Sequence, residues 1–250
     1  MHNEEYNLLF RRADDLYKRS QNSVMSTGFL SPAEQVALER YASGMKYENM
    51  HLYGGADGCE RKAAFFLPEY MDAETFDADG FISAFSVTAR FSSLGHRDYL
   101  GALLGLGIKR EFVGDIYVFE ERAFFFAKET VSGFIEENFD KVGRYGVKTE
   151  KIARENVPMP ERSYEKREYT VKSLRLDAVT AGLFGVSRTE SVRLIEQGLV
   201  SLNYSIELRP DENVKKGDII SARGYGKGQV ESCENVSRKG RIFVNSMLYK

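Results

Sequence analysis

The chain has 250 residues, 42% of them hydrophobic and 29% charged, with a formal net charge of −2, which is the composition of an ordinary globular protein with room for two or three cores. No apolar run approaches the roughly 20 residues that cross a bilayer, and the opening MHNEEYNLLFRRADD puts acids where a signal peptide is basic and then greasy, so a cytoplasmic protein without a membrane partner is expected. Cys59 and Cys233 lie far apart without a CxxC, and His2, His51 and His96 show no HExxH or HxxxH spacing; free thiols, no metal site and no cofactor follow.

The whole-chain charge conceals an asymmetry. Residues 1–160 carry 19 Lys+Arg against 25 Asp+Glu, and residues 161–250 carry 16 against 12. That is the pattern of a basic module joined to an acidic body.

Residues 4–20 place Tyr6, Leu9, Phe10, Ala13, Leu16 and Tyr17 on one helical face. Ser31-Pro32-Ala33-Glu34 offers an N-cap serine, a proline at the first helical position and a capping-box glutamate, starting a second helix that runs to about Ala42. Residues 49–54 and 61–67 are strand-like around the turn GGADG. Residues 1–73 therefore form a helical N-terminal domain closed by a β-hairpin. In residues 74–155, FISAFSVTAR is a strand, RDYLGALLGLG a helix, GDIYVFEERAFFFA two strands turning at Glu120-Glu121, KETVSGFIEENFDKV a helix and VKTEKIA a strand. This β-α-β-β-α-β order is that of a ferredoxin/RRM-like domain. The order does not assign a function, and Phe124 and Phe126 on its third strand read more readily as core than as base-stacking aromatics. Residues 156–170, NVPMPERSYEKREYT, with two prolines, high charge and no period, are expected to be a linker. The fold class is α+β.

Residues 171–250 carry the functional signal. A helix is expected from about Ser173 to Leu183. Ser187 and Glu190 then form a capping box for a second helix that stops at Gly198. Val192, Ile195 and Leu199 form its buried stripe, while Thr189, Arg193 and Gln197 share another face. Arg188 lies in the first turn, where exposed N–H groups favour an anion. Short strands follow at Leu199–Leu202 and Ile219–Arg223. The segment Arg223-Gly-Tyr-Gly-Lys227-Gly allows close backbone approach and supplies two cations, and Tyr204 and Tyr225 are placed to stack on bases.

The run R-L-D…S-R…I-x-x-G-x-V-x-x-N…G-D-x-I…R-G resembles the S4 RNA-binding module over about 55 residues. By that resemblance Arg175, Ser187, Arg188, Arg193, Gln197, Asn203, Arg223 and Lys227 line the RNA-facing side. One departure is Asn203-Tyr204-Ser205 where many S4 modules have Asn-Gly-Lys, which removes a lysine contact. Residue by residue there are structural explanations too: an Arg175–Asp177 ion pair, Ser187 as a cap, Asn203 as a turn former. Together with YGGADGCERK and LGHRDYLGALLGLGIKREFVGDI, the module makes nearly the whole chain similar to the YlmH family of bacterial proteins. That resemblance implies a gene near cell-division genes, association with the large ribosomal subunit, and rescue of stalled translation by holding peptidyl-tRNA during C-terminal tailing.

The expected function is thus a non-enzymatic protein docking on structured rRNA and tRNA at the ribosome; His96 and Arg97, after Gly95, are candidates for a second RNA contact, although they read more readily as the start of a capped helix. Nothing in the sequence demands a dimer, so a monomer is expected. Two alternatives stand. Arg175-Leu-Asp177-Ala-Val-Thr180-Ala-Gly182-Leu183 fits the R-L-D-x-x-T-x-G-L motif of pseudouridine synthases, with Asp177 at the nucleophile position, although only 73 residues follow it and the S4 module uses most of them. The acidic first 160 residues would also suit a protein-interaction adaptor in cell division.

Overall fold

A computed structural model of the chain describes residues 6–71, 73–89, 94–120, 122–160, 163–234, 237 and 240–249. The chain divides into two compact units, Met1–Pro160 and Glu161–Lys250. The expected start of the first helix at residues 4 and 5, the strand end at Arg90, the turn residue Glu121 and linker residues Glu161 and Arg162 lie outside the described residues. No helix among the described residues is long and apolar enough to cross a membrane.

The first unit begins with α1 (Asn7–Arg19), β1 (Met25–Leu30), α2 (Pro32–Met45), β2 (Met50–Tyr53) and β3 (Lys62–Phe66). The start of α2 carries the full capping box: Glu34 N–H donates to Ser31 Oγ (3.3 Å), and Ser31 N–H donates to Glu34 Oε2 (2.6 Å). The β2–β3 hairpin gains β1 on its other side, giving a three-stranded sheet in the order β1-β3-β2. Strand β1, MSTGFL, was not expected. It is buried over its last four residues and shows no period-two alternation to signal it.

Next come β4 (Ile82–Ala89), α3 (His96–Gly105), β5 (Val113–Val118), β6 (Arg122–Lys128), α4 (Ser132–Asn138), β7 (Lys141–Val142) and β8 (Tyr145–Ile152). Their sheet order, β5-β6-β4-β8-β7, is antiparallel throughout. Apart from the two-residue addition β7, this is the ferredoxin-like topology.

Strand alternation gives this sheet two buried faces. Phe85, Val87, Phe125 and Ala127 pack against Tyr99 and Leu103 of α3 and Ile135 of α4. On the opposite face Ile82, Ala84, Phe124 and Phe126 pack against Phe29, Ala63 and Phe65 of the N-terminal sheet. Residues 1–73 and 74–155 accordingly share a core instead of forming separate globules. In an RNA-recognition motif that second face is the one on which bases stack, whereas here Phe126 is fully buried. The covering loop comes close enough that a Cβ on Gly55, at φ +112°, would sit 2.4 Å from the Phe126 ring.

The seam also buries a lysine. Lys128, 7% exposed, donates to Ser26 Oγ (2.7 Å) and lies 5.4 Å from the centre of the Phe65 ring. Burial, with a smaller contribution from Arg12, brings its pKa down from 10.5 to about 8.

The second unit contains β9 (Tyr164–Val171), α5 (Leu176–Phe184), α6 (Arg188–Glu196), β10 (Val200–Leu202), β11 (Ser205–Ile206), β12 (Ile219–Ala222), β13 (Gly226–Ser232) and β14 (Ile242–Tyr249). One antiparallel sheet runs β11-β10-β12-β13-β14-β9. Half of the expected linker is therefore strand: β9 pairs with β14 from Tyr164↔Tyr249 to Val171↔Ile242. Its run of Glu, Lys and Arg looks like solvated linker because β9 is an edge strand, and charged side chains are what discourage an open edge from pairing with another chain.

Between pH 8 and 10.5 the unfolded chain holds the Lys128 proton more tightly than the folded one, so stability rises with pH across that window, by up to about 3 kcal/mol. Replacing Lys128 with Met is expected to stabilise the first unit at pH 7 by about 1–3 kcal/mol and to abolish that rise, as read by urea unfolding at a series of pH values.

Candidate nucleic-acid interface

The candidate surface is organised by a buried carboxylate. Asp177, in the first turn of α5, is 2% exposed, and both its oxygens are held by guanidinium groups. Arg175, the N-cap residue of α5, donates from Nε to Oδ1 and from Nη2 to Oδ2, each at 3.2 Å. Arg188, the first residue of α6, donates from Nε to Oδ2 at 3.1 Å and from Nη2 at 3.0 and 3.3 Å. Burial pushes the Asp177 carboxyl up, but the two arginines outweigh it and hold the group below its usual range. The two arginine side chains remain 41% and 55% exposed, so one anion anchors two cations at the surface.

Around this clamp the α5 motif has a structural explanation at each position. The N–H groups of Leu176 and Asp177 donate to Glu212 and Pro210 carbonyls (2.8 and 2.9 Å). Leu183 is core, and a Cβ on Gly182 would lie 2.1 Å from the Tyr169 ring of β9. Thr180 is buried with no partner for its hydroxyl among the described residues, as is Ser191 on α6.

Ser187 caps α6, accepting from Glu190 N–H at 3.1 Å. The Glu190 carboxylate turns instead to Arg193 (2.6 and 2.9 Å), so the expected capping box is half formed. The buried stripe of α6 is Ser191, Leu194 and Ile195, with Val192 and Leu199 only partly covered. Arg188, Thr189, Arg193 and Gln197 are exposed. Arg193 Nη1 reaches Gln197 Oε1 at 3.5 Å, which places these two on one continuous polar face.

Asn203 does not present its amide outward. Its Nδ2 donates to Asp218 Oδ1 (2.8 Å), and its Oδ1 accepts from Ile219 N–H (3.0 Å). It holds the two-residue β10–β11 turn, where Asn203 and Tyr204 both have positive φ (49° and 66°), the backbone of a type I′ hairpin. Glycine is favoured at the second position, and Tyr204 occupies it at a conformational cost.

Arg223 and Lys227 flank the β12–β13 turn. Arg223 is exposed, and its N–H donates to the Leu199 carbonyl just past α6 (2.9 Å). Lys227 lies 5.6 Å from the centre of the Tyr249 ring. Tyr225, 40% exposed, sits 6.2 Å from Phe184 of α5 and adds to the electrostatic environment of Arg193, whose pKa is raised first by its bond to Glu190. The end of α5, the exposed face of α6 and this turn therefore meet. His96 and Arg97 lie elsewhere, exposed at the N-terminus of α3 in the first unit.

Two cations escaped notice in the sequence. Lys172 and Arg241 share with Arg188 a groove of about 390 Å³ floored by Ala178, Ala181 and Gly182. Arg241, which donates to Thr170 Oγ1 (2.9 Å) and Thr170 O (2.5 Å), is brought there only by β-pairing.

Family comparisons agree with this architecture. Residues 174–220 match the S4 domain, and residues 77–156 match a family described as "Putative RNA-binding domain in YlmH". Over 225 residues, 89% of this chain and 86% of the relative, the sequence is 35% identical to the ribosome-associated protein quality control protein P2 of Bacillus subtilis (strain 168). The chain belongs to the YlmH family. Its fold is also similar to that of the cell division protein ylmH from Streptococcus pneumoniae, with a TM-score of 0.50 and 22% identity over 59% of this chain and 91% of that one.

Replacing Asp177 with Asn is expected to cost the second unit about 2 kcal/mol at pH 7. Because the folded-state pKa is depressed, the carboxylate's contribution is present above its ordinary value of 3.8 and is lost as pH falls through the folded value. Urea unfolding of wild type and variant should converge in acid.

Proposed function

We propose that this YlmH-family chain is a non-enzymatic RNA-binding protein that docks on structured rRNA of the large ribosomal subunit and on tRNA, in quality control of stalled translation. The observation that carries this is the exposed face where Arg188, Arg193, Gln197 and the Arg223–Lys227 turn meet beside Tyr225 and Phe184. It offers fixed guanidinium groups for phosphate and an aromatic edge for bases. The ribosome-associated relative supplies the cellular setting.

A non-enzymatic role is supported by the state of Asp177. A nucleophilic aspartate needs a free oxygen within reach of its substrate; this one is buried and held on both oxygens by arginines. Ser187, Asn203 and Arg175 act in this reading by fixing the helix start, the turn and the carboxylate clamp. Arg188, Arg193, Arg223 and Lys227 supply the charge.

The structure also selects the variants. Arg188→Ala would break the Asp177 clamp as well as remove a phosphate contact, whereas Arg193 and Arg223 are exposed, and the loss of an exposed ion pair such as Arg193–Glu190 costs little. Co-sedimentation with purified ribosomal subunits over a salt series should show salt-sensitive binding to the large subunit. Arg193→Gln and Arg223→Gln should each lower the salt slope by about one. Wild-type slopes in both would remove this face from the interface, and binding that resists ribonuclease and salt would favour the protein adaptor.

A further inference from the structure

The two sequence motifs outside the S4 module, residues 53–62 and 94–116, meet in the first unit. Asp115 accepts from the N–H groups of Glu60 (2.5 Å) and Arg61 (3.1 Å) and from the Tyr117 hydroxyl (3.2 Å). This brings Arg61 beside Arg110. Arg61 donates from Nε to the Val113 carbonyl (3.3 Å) and from Nη2 to the Phe29 carbonyl (2.6 Å). Arg110 Nη1 donates to the same Val113 carbonyl and to that of Gly114 (3.4 Å).

Two guanidinium groups thus converge on one carbonyl oxygen. Neither forms an ion pair with a carboxylate among the described residues, since Asp115 is committed to main-chain donors and Tyr117. Both side chains are half-buried. Burial, then the charge of Arg61, brings the Arg110 pKa down to about 10. Two guanidinium groups of like charge share that acceptor, and the nearby Glu34 and Asp115 carboxylates favour their charge without pairing with them. Among the described residues the hydrogen bonds of Arg110 come from Nη1, and Nε and Nη2 make none. His96, whose pKa is lowered by burial and then by Arg110, places the exposed start of α3 beside the pair.

We propose that Arg61 and Arg110 form a phosphate-binding site in the first unit that takes a backbone phosphodiester of structured RNA. The site supplies what the covered sheet face cannot: a guanidinium fork matches two phosphate oxygens, and a second guanidinium beside it adds charge without further ordering of the chain. The choice of RNA as the source of the phosphate rests on the RNA-binding role proposed above.

The test uses the full chain. Arg61 ties β1 to β5, so the variant is Arg110→Gln, with Arg110→Lys as the charge-keeping partner and the exposed Lys141→Gln as a charge-matched control. Two readouts are compared: binding to large ribosomal subunits over a salt series, and the rise in Tm with added inorganic phosphate.

Arg110→Gln is expected to weaken subunit binding by roughly tenfold and lower the salt slope by about one, and to lose the phosphate-dependent rise in Tm. Arg110→Lys should restore the slope, and Lys141→Gln should leave both readouts near wild type. Thermal unfolding without phosphate verifies that Arg110→Gln folds; if it does not, Arg110→Lys decides, because loss of the fork should still reduce protection by phosphate. Wild-type behaviour of Arg110→Gln in both readouts would overturn the site. Phosphate protection that depends on Arg110, with unchanged subunit binding, would overturn RNA as the source. If the wild-type chain binds no RNA, the RNA-binding role fails, and the phosphate readout alone upholds or overturns the anion site.

Discussion

The Asp177 carboxylate is the constraint on which the second unit's surface depends. A buried carboxylate is costly unless charged donors surround it, and here the donors are Arg175 and Arg188, one from the start of each helix. The need to neutralise one interior charge fixes the approach of α5 to α6 and leaves two guanidinium groups at the surface with much of their rotational freedom removed. A cation ordered in advance spends less conformational entropy on meeting a phosphate than a free side chain does. The stability of the helix pair and the ordering of its surface cations draw on the same three residues.

The first unit resolves a different conflict. A ferredoxin-like sheet with helices on one side leaves its other face apolar, and the N-terminal sheet covers it through Phe29, Ala63 and Phe65. That gains a larger shared core and gives up the surface on which an RNA-recognition motif would stack bases. Polar chemistry is displaced to the rim of the seam, where Arg61 bridges main-chain carbonyls from β1 and β5. A domain of this topology and one that binds RNA through its sheet face are therefore different propositions.

What the sequence disclosed was local. Ser31 and Glu34, Ser187, and the stop at Gly198 are written within a few residues of where they act, and the β-α-β-β-α-β order needs only periodicity. The features that stayed hidden depend on partners far along the chain. Strand β9 becomes a strand because β14 lies beside it. Asp177 belongs to Arg188 as much as to the neighbouring Arg175, although only the neighbour is suggested by spacing. Asn203 was legible both as a turn former and as a contact, and the Asp218 carboxylate decides its orientation. Arg61 and Arg110 sit in separate motifs whose convergence no one-dimensional pattern announces.

Strand β14 is made after every other strand of its sheet, yet it lies between β13 and β9. Helices α5 and α6 and the strands up to β13 meet partners close in the chain, but β9, though it packs on α5, has no strand to pair with until residues 242–249 reach it. Closing that gap joins segments almost the full length of the unit apart, the kind of step that is slow because loop entropy must be lost first. Helices α5 and α6 thus draw on contacts close in the chain, and the sheet that backs them is closed last.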